Sequence, residues 1–174
     1  SSFFSLERSL VMADAQKNRQ ATKERIKSCL FDNGVTLTPH ELDVVFSHVS
    51  KGQPSINYLD FISACRGQMS AEREAAVDRI FKRIGNQKTD EISIDSLMSR
   101  FKAERHPDVK VLGKEPQRVK ATISDNLDLF GRLGGYDLQH KVMKYDEFLE
   151  FFDGMSSLET DDRKFLTLAN ECFA

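Results

Sequence analysis

The chain of 174 residues is long enough for one large domain or for two small lobes with separate cores. Its composition, 40% hydrophobic and 30% charged, is that of a globular protein, and 25 Lys and Arg against 27 Asp and Glu give no electrostatic case for nucleic acid. No apolar run approaches the roughly eighteen residues of a membrane span. Glu7 and Arg8 interrupt the first apolar stretch, so no signal-peptide pattern is read there.

Residues 3–31 contain no Gly or Pro and read as mostly helical. Phe3, Leu6, Leu10 and Met12–Ala13 supply one apolar segment and Ile26, Cys29 and Leu30 another. The polar stretch 14–25 between them fits either one long helix crossing solvent or a loop that breaks it. If helical, it extends toward a partner or a second copy. Asn33-Gly34 stops the helix. Thr38-Pro39-His40-Glu41 starts the next, with Thr38 as cap, Pro39 at the first helical position and Glu41 completing a capping box. Leu42, Val45, Phe46 and Val49 form its buried stripe. The turn-rich stretch 50–55 leads to a lone aliphatic, Ile56, and an outgoing helix with Phe61, Ile62 and Cys65.

Ser70 caps the helix that follows, with Val77, Ile80, Phe81 and Ile84 at helical spacing on one face. A polar run, 85–91, precedes a second lone aliphatic, Ile92, and then Leu97, Met98 and Phe101. Residues 102–116 read as a long connector. Val119, Ile123, Leu127 and Phe130 form a further helix, 131–141 an enlarged loop, and Met143 the third lone aliphatic, followed by Phe148, Phe151 and Phe152. Thr160-Asp161-Asp162 caps a last helix carrying Phe165, Leu166, Leu168, Ala169 and Phe173.

The strongest organising signal is a repeat. Ile56 and Ile92 lie 36 residues apart, and a Phe or Leu stands five residues after each, as Phe148 does after Met143. Ala21 and Ile26 continue the pattern backward. An apolar helix, a loop of about twelve residues with an aliphatic at its eighth position, and another apolar helix make the EF-hand plan. The expectation is an all-α EF-hand fold of four helix–loop–helix repeats. They pair into two lobes, 1–67 and 68–174, through short two-stranded pairings between loops. The first hand is strongly degenerate.

An EF loop binds calcium through oxygens at positions 1, 3, 5, 9 and 12, with Gly at 6 for the turn. In the third loop those ligand positions hold Gly85, Gln87, Thr89, Ser93 and Ser96, and Asp90 stands at the turn; none of the five is a carboxylate. The second loop reads as one residue short, with Pro54 at the turn, Asp60 last and Lys51 adding positive charge. The first offers Asp14, Gln16 and Asn18, but Arg19 takes the turn and Arg25 the last position. The fourth keeps Glu147, with Asp137 nearby and Lys141 and Lys144 interfering. No cofactor is expected, calcium included; the alternative metal site is Asp137 and Glu147.

His40, His48, His106 and His140 make no zinc spacing, and the glycine-rich run 131–135 lacks the Gly-Lys-Ser/Thr ending of a phosphate loop. With no nucleophile, base or paired carboxylates in a recognisable pattern, no enzyme activity is expected. The three cysteines, Cys29, Cys65 and Cys172, read as reduced core thiols of a cytoplasmic protein, with cytoskeletal association as a further expectation.

Arg105-His106-Pro107-Asp108-Val109-Lys110 and the stretch Phe151-Phe152-Asp153-Gly154-Met155-Ser156-Ser157, followed by Thr160-Asp161-Asp162, resemble the calcyphosin group of EF-hand proteins, within the calmodulin superfamily. The resemblance runs from about Gly34 onward. It implies four hands in two lobes and calcium-linked signalling.

The function expected from these readings is a protein–protein interaction module or adaptor that has largely lost calcium. It binds an amphipathic helical segment of a partner or scaffold in a groove lined by Phe46, Phe61, Ile62, Phe81, Met98, Phe101, Phe130, Phe148, Phe151 and Phe152. A calcium sensor acting through the fourth loop and a regulatory subunit of a larger complex are the alternatives; homo-oligomerisation stays open.

Overall fold

Helices dominate the computed structural model, which describes residues 3–157 and 159–174; Ser1, Ser2 and Leu158 lie outside the described residues. The chain divides into two units, Ser1–Gly67 and Gln68–Ala174.

In the first unit, α1 (Phe3–Ala13) leads through a turn into β1 (Gln20–Thr22), which runs directly into α2 (Lys23–Asp32). Then come α3 (Pro39–Ser50), β2 (Ser55–Asn57) and α4 (Tyr58–Arg66). The stretch 14–25 is therefore neither a continuous helix nor an arm. Asp14 ends the helical path by accepting the amides of Asn18 and Arg19 at 3.2 and 2.7 Å. Thr22 then caps α2 through the Arg25 amide. The expected capping box on α3 forms: the Thr38 hydroxyl accepts the Glu41 amide and the Glu41 carboxylate accepts the Thr38 amide at 2.8 Å. β1 and β2 pair antiparallel, with Ala21 opposite Ile56. Leu6, Leu10, Ile26, Leu30, Leu42, Phe46, Phe61 and Ile62 close over that pair as the core. Phe4 is buried as well, whereas Met12, expected in the same apolar segment, is 74% exposed; α1 turns Leu6 and Leu10 into the core and leaves Met12 on another side.

In the second unit, α5 (Ala71–Ile84) is followed by β3 (Glu91–Ser93) and α6 (Ile94–Arg100). The connector 102–116 is not irregular throughout. A 3₁₀ turn, Ala103–Arg105, and a short helix, α7 (Pro107–Lys110), punctuate it, because Pro107 suits a first helical position and His106 caps the Asp108 amide. α8 (Pro116–Arg132), β4 (Val142–Lys144) and α9 (Tyr145–Ser156) follow. α8 runs through Gly131, so the fourth loop is shorter than expected. A Cβ at Gly131 would meet the Tyr136 ring at 2.6 Å, which is why glycine stands where that ring folds back. β3 and β4 pair antiparallel, with Ile92 opposite Met143. The last helix, α10 (Asp162–Thr167), passes into a π-helical turn, Leu168–Cys172, instead of continuing as α.

A chain of ring contacts fills this unit: Phe81 to Phe148 at 5.4 Å between centroids, Phe148 to Phe152 at 4.9 Å, Phe152 to Phe151 at 5.4 Å and Phe151 to Phe130 at 5.6 Å. Such pairs add to the free energy of simple burial. Among the described residues, no helix is long and apolar enough to cross a membrane. Cys29 and Cys172 are buried, but Cys65, expected in the core, lies on the exposed face of α4.

Candidate functional site

The loops between helices are the natural place to look for chemistry. In three of them the sixth position is left-handed without being glycine: Arg19 at φ 59°, Asp90 at 56° and Lys141 at 52°. That conformation costs an ordinary residue roughly 1–2 kcal/mol. The strand pairs account for its persistence. The carbonyls of these three residues accept the amides of Tyr58 at 3.0 Å, Tyr145 at 3.2 Å and Ile94 at 2.9 Å. Each acceptor therefore lies in one loop and each donor just beyond the partner strand. The left-handed residue turns its carbonyl into the ladder, and this hydrogen bond holds the loop.

The side chains do not converge in a way that suits calcium, which takes six to eight hard oxygens with several anions among them. In the third loop Gln87 folds back to the Phe81 carbonyl at 3.2 Å, and Asn86 spends its oxygen on the Lys88 amide at 3.0 Å. In the second, Lys51 takes the left-handed position at the end of α3 and Asn57 caps α4 through the Leu59 amide. In the fourth, the Glu147 carboxylate accepts the Lys144 amide at 2.7 Å, a capping role that holds it at the start of α9. Asp137 accepts the Gln139 and His140 amides with Oδ1 and meets His140 Nδ1 with Oδ2 at 2.6 Å. That contact holds the Asp137 carboxyl below its usual range and raises the His140 imidazole. Asp137 and Glu147, the alternative metal pair, are thus each engaged elsewhere.

The first loop differs. Asp14, Gln16, Asn18, Gln20, Thr22 and Arg25 line a cavity of about 430 Å³. Against burial, which pushes it up, amide bonds from Arg19 and Asn18 and the Tyr58 hydroxyl at 3.2 Å hold the Asp14 carboxyl below its usual range. One carboxylate, three amides and the hydroxyls of Thr22 and Ser55 share that lining with the Arg25 guanidinium, an oxygen set too weakly anionic for the ion. Among the described residues, no group of three or more His, Cys, Asp or Glu converges as a metal site.

Of the ten residues expected to line a groove, all but Met98 are buried in this conformation. Phe46, Phe61 and Ile62 belong to the core of the first unit. Phe81, Phe130, Phe148, Phe151 and Phe152 form the ring chain of the second, and Phe101 meets Phe173 at 5.0 Å. Met98, half-buried, borders a cleft between α6 and α8 with Ile94, Leu127, Tyr136 and Leu138.

Sequence reasoning passed over Arg73. This side chain is 7% exposed. It donates to Asp162 Oδ1 at 2.7 Å, the Ser156 carbonyl at 2.8 Å, Ser156 Oγ at 2.9 Å and the Glu159 carbonyl at 2.8 Å, and lies 4.8 Å from the Phe165 ring centroid. A signal was present: Arg73, Val77, Ile80 and Ile84 share helical spacing, which puts a cation on the apolar face of α5.

No family model matches the chain. It is similar to crustacean calcium-binding protein 23 of Faxonius limosus, 26% identical over 171 residues that cover 98% of this chain and 82% of the crustacean protein. The likeness to a calcium-binding protein therefore extends over nearly the whole sequence.

Proposed function

We propose that this chain is a non-catalytic interaction module of the EF-hand type, with paired hands in two lobes that hold their loops without calcium. Two features support the fold reading: the four helix–loop–strand–helix repeats paired in the expected registers, and the likeness to a crustacean calcium-binding protein along the whole chain. The observation that carries the loss of calcium is the ligand set: the third loop has no carboxylate at its ligand positions, and in the first and fourth Asp14 and Glu147 are spent on main-chain amides beside Arg25 and Lys144. A lobe of this kind is fixed by packing and ladder bonds, so it offers its binding surface to an amphipathic helix irrespective of the ion. The calcyphosin-like motifs and a cytoplasmic or cytoskeletal setting belong to the same reading.

The cavity of the first loop and the name of the crustacean relative favour a second reading, a calcium sensor. Calorimetric titration of the full chain with calcium separates the two. No saturable heat at micromolar calcium is expected. Micromolar saturation abolished by Asp14→Asn or Glu147→Gln would replace the module with a sensor. Affinity purification with and without a chelator should recover the same helical partner under both conditions.

A further inference from the structure

The segment Asp162–Phe173 is seated on the second unit in the manner of a bound helix. Its inward side is Phe165, Leu168, Ala169, Cys172 and Phe173, all buried. Phe173 meets the rings of Phe101 at 5.0 Å and Phe152 at 5.7 Å, two of the residues expected to line a groove. A line of cations borders the seat. Along α5, Arg73 holds Asp162, Arg79 Nη2 donates to Asn170 Oδ1 at 3.1 Å and Arg83 Nη1 to the Phe173 carbonyl at 3.4 Å; from α7, Lys110 meets Glu171 at 2.8 Å.

The segment has few means of standing alone. Its helical part, six α residues and five π residues, lies below the length of about 12–15 residues under which isolated helices are marginal in water. Its second half is a π turn, a rare form that is frequent at functional sites. Its ion pairs are at the surface, with Asp162 67% exposed and Lys110 and Glu171 about half exposed, so they orient the segment more than they hold it; one main-chain bond, from the Lys102 amide to the Cys172 carbonyl at 2.7 Å, joins it to the unit. The hold is apolar, and another helix with the same apolar face can supply it.

We infer that Asp162–Phe173 is an intramolecular occupant of the groove through which this unit takes its partner. The partner is an amphipathic helix of the same chemistry: aromatic or aliphatic anchors spaced as Phe165, Leu168, Ala169, Cys172 and Phe173, an acid at its N-terminal end for Arg73, and an acid near its other end for Lys110. Docking of that helix displaces the segment, which leaves the seat as an order-to-disorder step. The inference rests on the interaction-module reading and adds the site, the partner's chemistry and the autoinhibition.

The test uses the full chain and a fluorescent synthetic peptide with the sequence of residues 160–174. Phe165→Ala together with Asp162→Asn weakens the resident segment without touching the seat. This variant is expected to bind the peptide at least tenfold more tightly than the unmodified chain does, and a peptide carrying Phe165→Ala and Phe173→Ala is expected to bind neither. Equal peptide affinity for the two proteins, or no binding to a variant that keeps its helical circular dichroism, would overturn the inference. Native-state hydrogen exchange on the unmodified chain covers the case of a variant that does not fold. Amides of Phe165–Phe173 should exchange at least tenfold faster than those of Val77–Phe81, and equal protection of both would also overturn it. A calcium-dependent partner would sink the module reading without altering peptide displacement, so the two failures are distinguishable.

Discussion

Lys141 shows how a left-handed backbone angle is held without the glycine that adopts it most easily. At φ 52° a lysine is strained, yet its amide donates to Asp137 at 2.8 Å and its carbonyl accepts from Ile94 at 2.9 Å. Glycine would keep both bonds and remove the strain, at the cost of a more flexible unfolded chain. Lys141→Gly is therefore expected to stabilise the protein by about 0.5–1 kcal/mol, seen as a higher denaturant midpoint at unchanged slope. A lower midpoint would mean that the lysine side chain contributes more than the left-handed conformation costs. Arg73 makes the opposite case at the same scale. It is a charged residue on an apolar helix face, and it is tolerated there because two carbonyls, a hydroxyl and a carboxylate receive its protons.

At the scale of elements, the boundaries follow local chemistry wherever caps are present. Thr38, Ser70, Ser93 and Asp161 each accept an amide at the start of the following helix. Thr38→Ala is expected to cost about 1 kcal/mol. The amide and hydroxyl of Thr38 hold the Glu41 carboxyl below the ordinary glutamate range. A depressed acid stabilises fully above its unfolded value and loses that contribution as the pH falls through its folded value. Glu41→Gln should thus match the unmodified chain below the acidic range and fall behind it as the pH rises toward neutrality, in denaturant melts taken across pH. A constant difference would place the effect of Glu41 outside its charge.

Over the whole molecule, the repeat was the most legible feature. Ile56 and Ile92 stand between polar neighbours and Met143 beside Val142 alone, and an aliphatic so placed between polar runs goes into a short buried strand. Both registers, Ala21 with Ile56 and Ile92 with Met143, follow from that spacing. The break within 14–25 was ambiguous for a physical reason: Lys17 and Arg19 make its left-handed turns, and neither is a residue that announces one. The seating of the last segment was hidden because long-range contacts such as Phe101 with Phe173 leave no local pattern. The thiols test the packing as a whole. Burial pushes all three thiols up, Cys172 to about 12, but Cys29 and Cys172 lie in the interior and Cys65 at the surface. A maleimide reagent is expected to label Cys65 within minutes and the other two only on opening or unfolding. Rapid labelling of Cys29 would contradict the core of the first unit.

The carbonyls of Asp90 and Lys141 reach across to the amides of Tyr145 and Ile94, just past each other's strands. Neither loop can relax while its neighbour is intact, and neither can stay curved once the other is cut or lengthened. Damage to one therefore becomes slack in both, and an inserted residue between Asn86 and Asp90 should be felt at the start of α9 on the far side of the pair. The same reciprocity shelters the outward-facing side chains of these bends, which are free to drift in identity as long as the main chain keeps its crossed grip.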